Sequence, residues 1–162
     1  MFMGMNDGGV AQIYIFPTRL SFVVGGKQPK TKTAVRALIL SSRGEVLLIR
    51  DTSDERSKDK WLTPGKWTQK GGRPASSLRS FVKEKLRIDI RMDRHPCDPI
   101  FDGDTRIEYI IFSARPKKDM PAPKGEIWSA GWFTRDELRW HWPSIHEETK
   151  LLLKAAGFLD GP

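Results

Sequence analysis

The sequence is poor in the features that build disulfides, zinc sites and membrane spans. Its 162 residues contain one cysteine, Cys97, which cannot form an internal disulfide. The three histidines, at positions 95, 141 and 146, do not form the paired spacing of a helical zinc site. No apolar run approaches the roughly 20 residues that cross a bilayer, and residues 1–10 lack the pattern of a signal peptide. We therefore expect a cytoplasmic protein with no membrane association.

The composition is that of a folded protein with an excess of positive charge. Hydrophobic residues make up 38% of the chain, including six tryptophans, so there is enough apolar surface for one core. The formal net charge is +8. A charge of this size favours partners that carry phosphate, either a nucleotide or another small phosphate-bearing ligand, or RNA.

The chain divides into an N-terminal extension and a larger domain. Residues 1–32 contain two β-rich runs, at 12–16 and 20–24, which predict either a hairpin or an extension at a sheet edge, followed by a basic linker. Residues 33–162 form the predicted domain. There, the apolar run at 34–40 and the run at 46–49 predict two strands paired as a hairpin across the turn at 42–44.

The rest of the domain mixes helices with strands. A helix is predicted over 74–86, with Leu78, Phe81, Val82 and Leu86 along one side. Strands are predicted at 87–92, 106–114 and 127–133, and a last helix at about 143–158. Thr134 followed by Glu137 predicts a capping box that begins a short helix.

Two segments of the domain have a recognisable pattern. The first is Trp61-Leu62-Thr63-Pro64-Gly65, followed by Gly71-Gly72 and the predicted helix. The second runs from Glu126 to Leu138 and contains a glutamate, a Trp-containing strand and an Asp-Glu-Leu helix start. The first looks like the start of a Nudix box, and together the two resemble the Nudix hydrolase superfamily, whose members cleave nucleoside diphosphates linked to another group. The resemblance implies an α+β fold, the Nudix α/β/α sandwich, with a mixed sheet flanked by helices.

The box itself departs from the family pattern at its acidic positions. Aligned on Pro64-Gly65, the positions of the pattern are filled as follows: Lys66 at the first glycine, Gly72 at the first glutamate, Ser80 and Phe81 at Arg-Glu, Val82 at the aliphatic position, Glu84 and Lys85 at the paired glutamates, Arg87 at the last glycine and Ile88 at the final aliphatic position. Where an intact box offers three carboxylates on one helix flank, this one offers a carboxylate and an ammonium. Divalent cations prefer oxygen ligands, so we expect poor metal binding there.

These departures predict a protein that binds a nucleotide or RNA phosphate and is inactive or impaired as a hydrolase. Glu84, together with Glu126 upstream of the Trp-containing strand, is a candidate catalytic residue, and Glu84 is the candidate metal ligand. Four cations, Lys66, Lys70, Arg73 and Lys85, are candidates for holding a nucleotide or RNA phosphate in a basic cleft without any cofactor.

Two other functions stay open at this stage. One is an active, divergent Nudix pyrophosphohydrolase that binds Mg²⁺ or Mn²⁺ weakly through relocated acids, drawn from Asp102, Asp104, Glu108 and Glu126. The other is a structural or interaction subunit that docks through its N-terminal strands and basic face. The tryptophans at positions 128, 132, 140 and 142 either stack on a base or pack against the core.

Overall fold

The computed structural model describes residues 2–5, 10–15, 18–23, 31–53, 57, 59–69, 72–103, 106–117 and 127–159, and it divides the chain into two compact units, residues 1–31 and 32–162. The first unit is an antiparallel sheet of three strands, β1 (Phe2–Met5), β2 (Val10–Ile15) and β3 (Thr18–Val23), in that order. Pairing of β2 with β3 confirms the predicted hairpin, and β1 is a strand that the sequence did not predict.

The second unit is built on a mixed sheet. Its strands are β4 (Lys32–Ile39), β6 (Gly65–Thr68), β7 (Ile90–Met92), β8 (Ile100–Asp102) and β9 (Ile107–Pro116). The order is β6-β4-β9-β7, and β8 also pairs with β9. Strands β4 and β9 are parallel to each other, whereas the other pairs are antiparallel. A mixed sheet was expected, although the sequence predicted no strand at β6 or β8.

A second, smaller sheet corrects the predicted hairpin at residues 34–49. Strand β5 (Val46–Asp51) pairs along its length with β10 (Ile127–Phe133), and touches the end of β4 only through a bridge between Leu40 and Val46. The turn between β4 and β5 therefore joins two sheets. Strands β4 and β5 are both largely apolar on both faces, so the local sequence does not indicate with which distant strand each one pairs.

Helices cover both faces of the main sheet. Helix α1 (Pro74–Leu86) buries Leu78, Val82 and Leu86 against the side of β4 that carries Val35 and Ala37. On the opposite side of β4, Ala34 and Leu38 belong to a separate core with residues of α2 (Arg135–Trp140) and α3 (Glu147–Ala155). This is the expected α/β/α arrangement, in which the buried strand β4 contributes alternate side chains to two cores.

Helix boundaries follow local capping chemistry. Helix α1 has the predicted bounds, with Pro74 at its first position. The predicted capping box is confirmed at α2, where the Thr134 hydroxyl accepts a hydrogen bond from the Glu137 N–H and the Glu137 carboxylate accepts one from the Thr134 N–H. The last helix begins later than predicted, because Trp142–Ser144 forms a separate 3₁₀ turn and His146 caps α3.

Candidate functional site

The α1 flank that corresponds to the family's acidic residues has one exposed carboxylate. Phe81 and Lys85 are half-buried beside the apolar stripe of the helix, whereas Glu84 points to solvent. Lys85 takes part in an interaction with its surroundings. Phe81 and Lys85, which stand at glutamate positions of the aligned family pattern, therefore lie on the half-buried flank of α1.

Arg87, which stands at the last glycine of the aligned pattern, has the backbone conformation that favours glycine. Arg87 is the C-cap of α1, with a φ of 55° in the left-handed region, and its N–H donates a hydrogen bond to the Lys83 carbonyl. Glycine adopts this conformation without steric cost, whereas a residue with a Cβ is strained there. Arg87 thus keeps the helix ending that the pattern's glycine provides.

Two of the four candidate phosphate-binding cations, Lys66 and Arg73, flank the segment that precedes α1, whereas Lys85 lies in the last turn of that helix. Lys66 is opposite Val35 in the β4–β6 ladder, so it shares the α1 side of the sheet, and it is exposed. Arg73, the exposed N-cap of α1, makes no side-chain capping bond. Within the described ranges, neither side chain forms an ion pair or a hydrogen bond. Lys70 lies outside the described residues, so the four-cation cleft stays a prediction.

The acids proposed for a relocated metal site do not meet on one side of the sheet. Asp102 is opposite Ile107, on the α3 side, whereas Glu108 follows the alternation of Ile110 and Phe112 on the α1 side. Asp104 and Glu126 lie outside the described residues. Among the residues that are described, no three His, Cys, Asp or Glu side chains group as metal ligands. The donor set on the α1 flank, one carboxylate beside a ring and an ammonium, does not fit a divalent cation.

A pocket of about 480 Å³ lies between α3 and the edge of the main sheet. It is lined by Asp102, Ile107, Tyr109, Trp142, His146, Glu147, Glu148, Lys150, Leu151 and Lys154. The lining combines two aromatic rings and two aliphatic side chains with charged groups of both signs. Of the described residues proposed from the sequence, the cations Lys66, Arg73 and Lys85 do not line it, and of the two described relocated acids Asp102 does and Glu108 does not.

Charged groups at the pocket are held in pairs. On its inner side, Arg36 of β4 donates through Nε to Oε1 of Glu148, and both side chains are about nine-tenths buried. Near the surface, Lys150 Nζ is 2.6 Å from Oε1 of Glu147, and this hydrogen bond is the main reason that the pKa of Glu147 lies below its ordinary value. The pairs fix carboxylate oxygens in place around the pocket.

Aromatic and cationic side chains meet at the pocket wall. The ammonium groups of Lys150 and Lys154 lie 5.4 and 5.6 Å from the centroid of the Trp142 ring. Of the other tryptophans raised from the sequence, Trp132 packs against the α1-side core and Trp140 is 85% exposed on α2. The Trp128 side chain lies outside what the structure describes. A single stacking surface made of several tryptophans is therefore not present among the described residues.

Hydrogen bonds tie the segment before β6 to the start of α3. The Trp61 N–H donates to the Ser144 carbonyl over 2.9 Å, and the His146 N–H donates back to the Trp61 carbonyl over 3.0 Å. Further along, the Thr63 N–H donates to the hydroxyl of the buried Thr149 over 3.1 Å. The Trp61-to-Gly65 segment, which the sequence singled out as the start of the box, thus also supports one wall of the pocket.

The pocket was not predicted because its residues come from four separate segments. They span positions 102 to 154, and only Trp142, as a stacking residue, and Asp102, as a metal ligand, had been proposed from the sequence. Trp142, His146 and Lys150 are spaced four residues apart across the start of α3, which could have indicated a shared surface. That they line a pocket follows only from the position of β9, which supplies Ile107 and Tyr109.

Comparison with known proteins supports the fold. No protein-family model matches the sequence, and no curated protein matches it. Solved structures do match. An ADP-ribose pyrophosphatase from Streptococcus suis 89-1591 superposes with a TM-score of 0.58 and 21% identity, covering 82% of this chain and 96% of the other. A NUDIX hydrolase from Nitrosomonas europaea gives 0.65 and 14%, covering 94% and 82%. A MutT protein from Methanosarcina mazei Go1 gives 0.56 and 17%, covering 70% and 83%.

This chain has the Nudix hydrolase fold. In this Nudix fold, the sequence alignment assigns the glutamate positions of the box to the α1 flank. The α3 pocket lies on the other side of the main sheet. Across the described residues, no helix is long and apolar enough to span a membrane.

Proposed function

We propose that this Nudix-fold protein binds a nucleotide, with its base in the α3 pocket, and that it lacks efficient pyrophosphate hydrolysis. The observation that carries the proposal is the pocket, whose lining pairs aromatic rings with fixed hydrogen-bonding groups. Its volume of about 480 Å³ falls in the range of small-molecule sites. The half-buried Trp142 supplies a flat apolar wall, Tyr109 lies buried in the lining, and the Glu148 carboxylate is held in place on the inner side by Arg36.

Cations near the same pocket support a phosphate-bearing ligand. Lys150 and Lys154 line it from α3, one turn apart, and both reach over Trp142. Lysine contacts phosphate as a compact point charge and needs no metal to do so. The predicted group on the α1 side, Lys66, Lys70, Arg73 and Lys85, is a second place for phosphates and is tested separately below.

The weak-hydrolysis part of the proposal rests on residue chemistry. Cleavage of a pyrophosphate requires neutralisation of several negative charges and activation of a water, which Nudix enzymes obtain from divalent cations. On the α1 flank, Phe81 has no donor atom and Lys85 repels a cation, so Glu84 is left to act alone.

The binding test compares two tryptophans. Calorimetric titration of AMP, ADP and ADP-ribose in chelator should show binding that Trp142→Ala weakens at least about tenfold, the scale of one aromatic stacking contact. Trp140→Ala, which changes an exposed ring outside the pocket, is the matched control and should bind like the unmodified protein. No binding by any of these nucleotides, or equal loss in both variants, would contradict the proposal.

Two further measurements separate the alternatives. If the α1-side cations hold phosphate, Lys85→Ala weakens ADP binding in chelator more than AMP binding, because ADP carries the additional phosphate. Incubation of ADP-ribose with Mg²⁺ or Mn²⁺ at high protein concentration should release little AMP. Rapid, metal-dependent release that Glu84→Gln abolishes would establish the divergent hydrolase instead.

A further inference from the structure

Two arginines lie directly opposite each other at an edge of the main sheet. Arg91 of β7 and Arg115 of β9 are partners in the antiparallel ladder, so their side chains leave the same face. Their neighbours Ile90 and Ala114 are buried on the other face, against the α1-side core. Both arginines are exposed, and no described side chain forms an ion pair or hydrogen bond with either one.

This juxtaposition is unfavourable for the isolated protein. Like charges directly opposite on neighbouring strands repel each other and weaken the ladder. Two nearby described acids leave the repulsion in place: the Asp89 carboxylate is 2.8 Å from Lys83 Nζ, and the carboxylate of the exposed Asp93 forms no ion pair with either arginine. A bound anion would remove the repulsion by lying between the two guanidinium groups.

Two further cations lie beyond one and the same end of this ladder. Lys117 follows β9, is exposed, and is fixed by a 2.8 Å hydrogen bond from its N–H to the Asp89 carbonyl. Arg87 is exposed at the C-cap of α1, three residues before β7. We name Arg87, Arg91, Arg115 and Lys117 the basic edge. A row of cations without a surrounding pocket fits an extended chain of phosphates better than a mononucleotide.

We propose that the basic edge binds the sugar–phosphate backbone of a single-stranded nucleic acid, with Arg91 and Arg115 contacting its phosphates. Arginine suits this contact because its planar fork binds phosphate oxygens in pairs. The net charge of +8 draws such a polyanion toward the protein. The large exposed apolar side chains found in the described residues, Trp67, Phe101, Trp140 and Leu151, lie outside β7 and β9, so the edge has no apolar group to insert into a lipid surface.

The test measures salt-dependent binding of labelled oligonucleotides to the full chain. A labelled oligouridylate of about 12 nucleotides and its deoxythymidylate counterpart are titrated by fluorescence anisotropy between roughly 0.05 and 0.4 M KCl. Each phosphate contact contributes about 0.7 to the slope of log affinity against log salt for a single strand. Arg91→Gln/Arg115→Gln should therefore lower the slope by about 1.4 and weaken binding about 25-fold at 0.1 M salt.

A control pair removes the same charge elsewhere. Arg43 and Arg139 are exposed, with side chains 80% and 64% accessible, in the turn before β5 and on α2. Arg43→Gln/Arg139→Gln should change affinity less than about threefold, since it alters only the long-range field. Equal losses of oligonucleotide affinity in the two double variants, or no loss of affinity in Arg91→Gln/Arg115→Gln, would overturn the proposal. Preferential binding to anionic vesicles that depends on Arg91 and Arg115 would also overturn it.

A charge reversal separates binding from folding. Arg115→Glu places opposite charges across the ladder from Arg91, so the thermal midpoint should rise by about 1–4 °C while oligonucleotide affinity falls. A variant that is more stable and still binds RNA and DNA like the unmodified protein would refute the assignment. The relative affinity for the two oligonucleotides identifies the preferred nucleic acid, and nucleotide binding by Trp142 is unaffected in every arm.

Discussion

Substitution of Gly65 by alanine should be among the most damaging single changes in this protein. Gly65 begins β6 and lies opposite Arg36 in the ladder with β4. A Cβ added there would be 2.1 Å from the Val35 carbonyl oxygen, 2.7 Å from Arg36 Cδ and 3.0 Å from Arg36 Cα. Moving the first contact from 2.1 Å to 3.4 Å, where ordinary van der Waals contact starts, requires a displacement of about 1.3 Å.

The cost has two parts. Overpacking in a rigid interior costs about 1–3 kcal/mol, and here the closest atom belongs to the backbone of the central strand, which cannot swing aside. Displacement of Arg36 also disturbs its buried pair with Glu148. We therefore expect Gly65→Ala to lower the free energy of unfolding by about 3 kcal/mol or more, together with a loss of pocket geometry on the α3 side.

Equilibrium urea unfolding measures this prediction directly. Gly103→Ala is the matched control, because a Cβ at that exposed glycine meets nothing within 4 Å. The control should lie within about 0.5 kcal/mol of the unmodified protein. The reasoning fails if Gly65→Ala is equally mild, since the Pro-Gly step would then have no packing role.

Four other predictions concern stability. Arg87→Gly should stabilise by about 0.5–1 kcal/mol in urea unfolding, because its φ of 55° strains a residue with a Cβ; a loss of stability would argue against strain. Thr134→Ala should cost about 1 kcal/mol through the lost cap. Hydrogen bonds from the Thr134 backbone N–H, and then from its hydroxyl, lower the pKa of Glu137. The stabilisation from this carboxylate is therefore present above about pH 4.3 and is lost as the pH falls through the lower pKa of the folded state. The difference in unfolding free energy between the unmodified protein and Glu137→Gln should accordingly shrink in acid. Arg36→Met should cost about 3–5 kcal/mol by leaving Glu148 buried without its partner, and Arg36→Met/Glu148→Met should recover most of it.

Local patterns in the sequence were sufficient where the structure is decided locally. Helix α1 combines an N-terminal proline with an apolar stripe, and both act within a few residues of chain. The capping box at Thr134 is likewise a contact between residues three apart. These elements form where the sequence predicted them because their deciding interactions are short-range.

Features that depend on distant partners were missed or wrong. Strand β5 is as apolar as β4, and its partner β10 lies more than seventy residues along the chain, so a hairpin was the simplest local prediction. Strands β6 and β8 have four and three residues, too few for a clear alternation, and form by pairing with strands already in place. The pocket was missed for the same reason, since β9 and α3 meet only in the folded chain.

Within the altered box, burial separates the positions that keep the fold from those that supply chemistry. Val82 is fully buried and Ile88 is 3% exposed, so a polar residue at either position would damage the α1-side core. Glu84 and Lys85 lie outside that constraint, exposed and half-buried respectively, and exchanging a carboxylate there for an ammonium removes no core contact. Side chains at positions 84 and 85 can therefore change their charge with little effect on the α1-side core. Similarity of fold consequently constrains the core of this protein and leaves the chemistry of its α1 flank unconstrained.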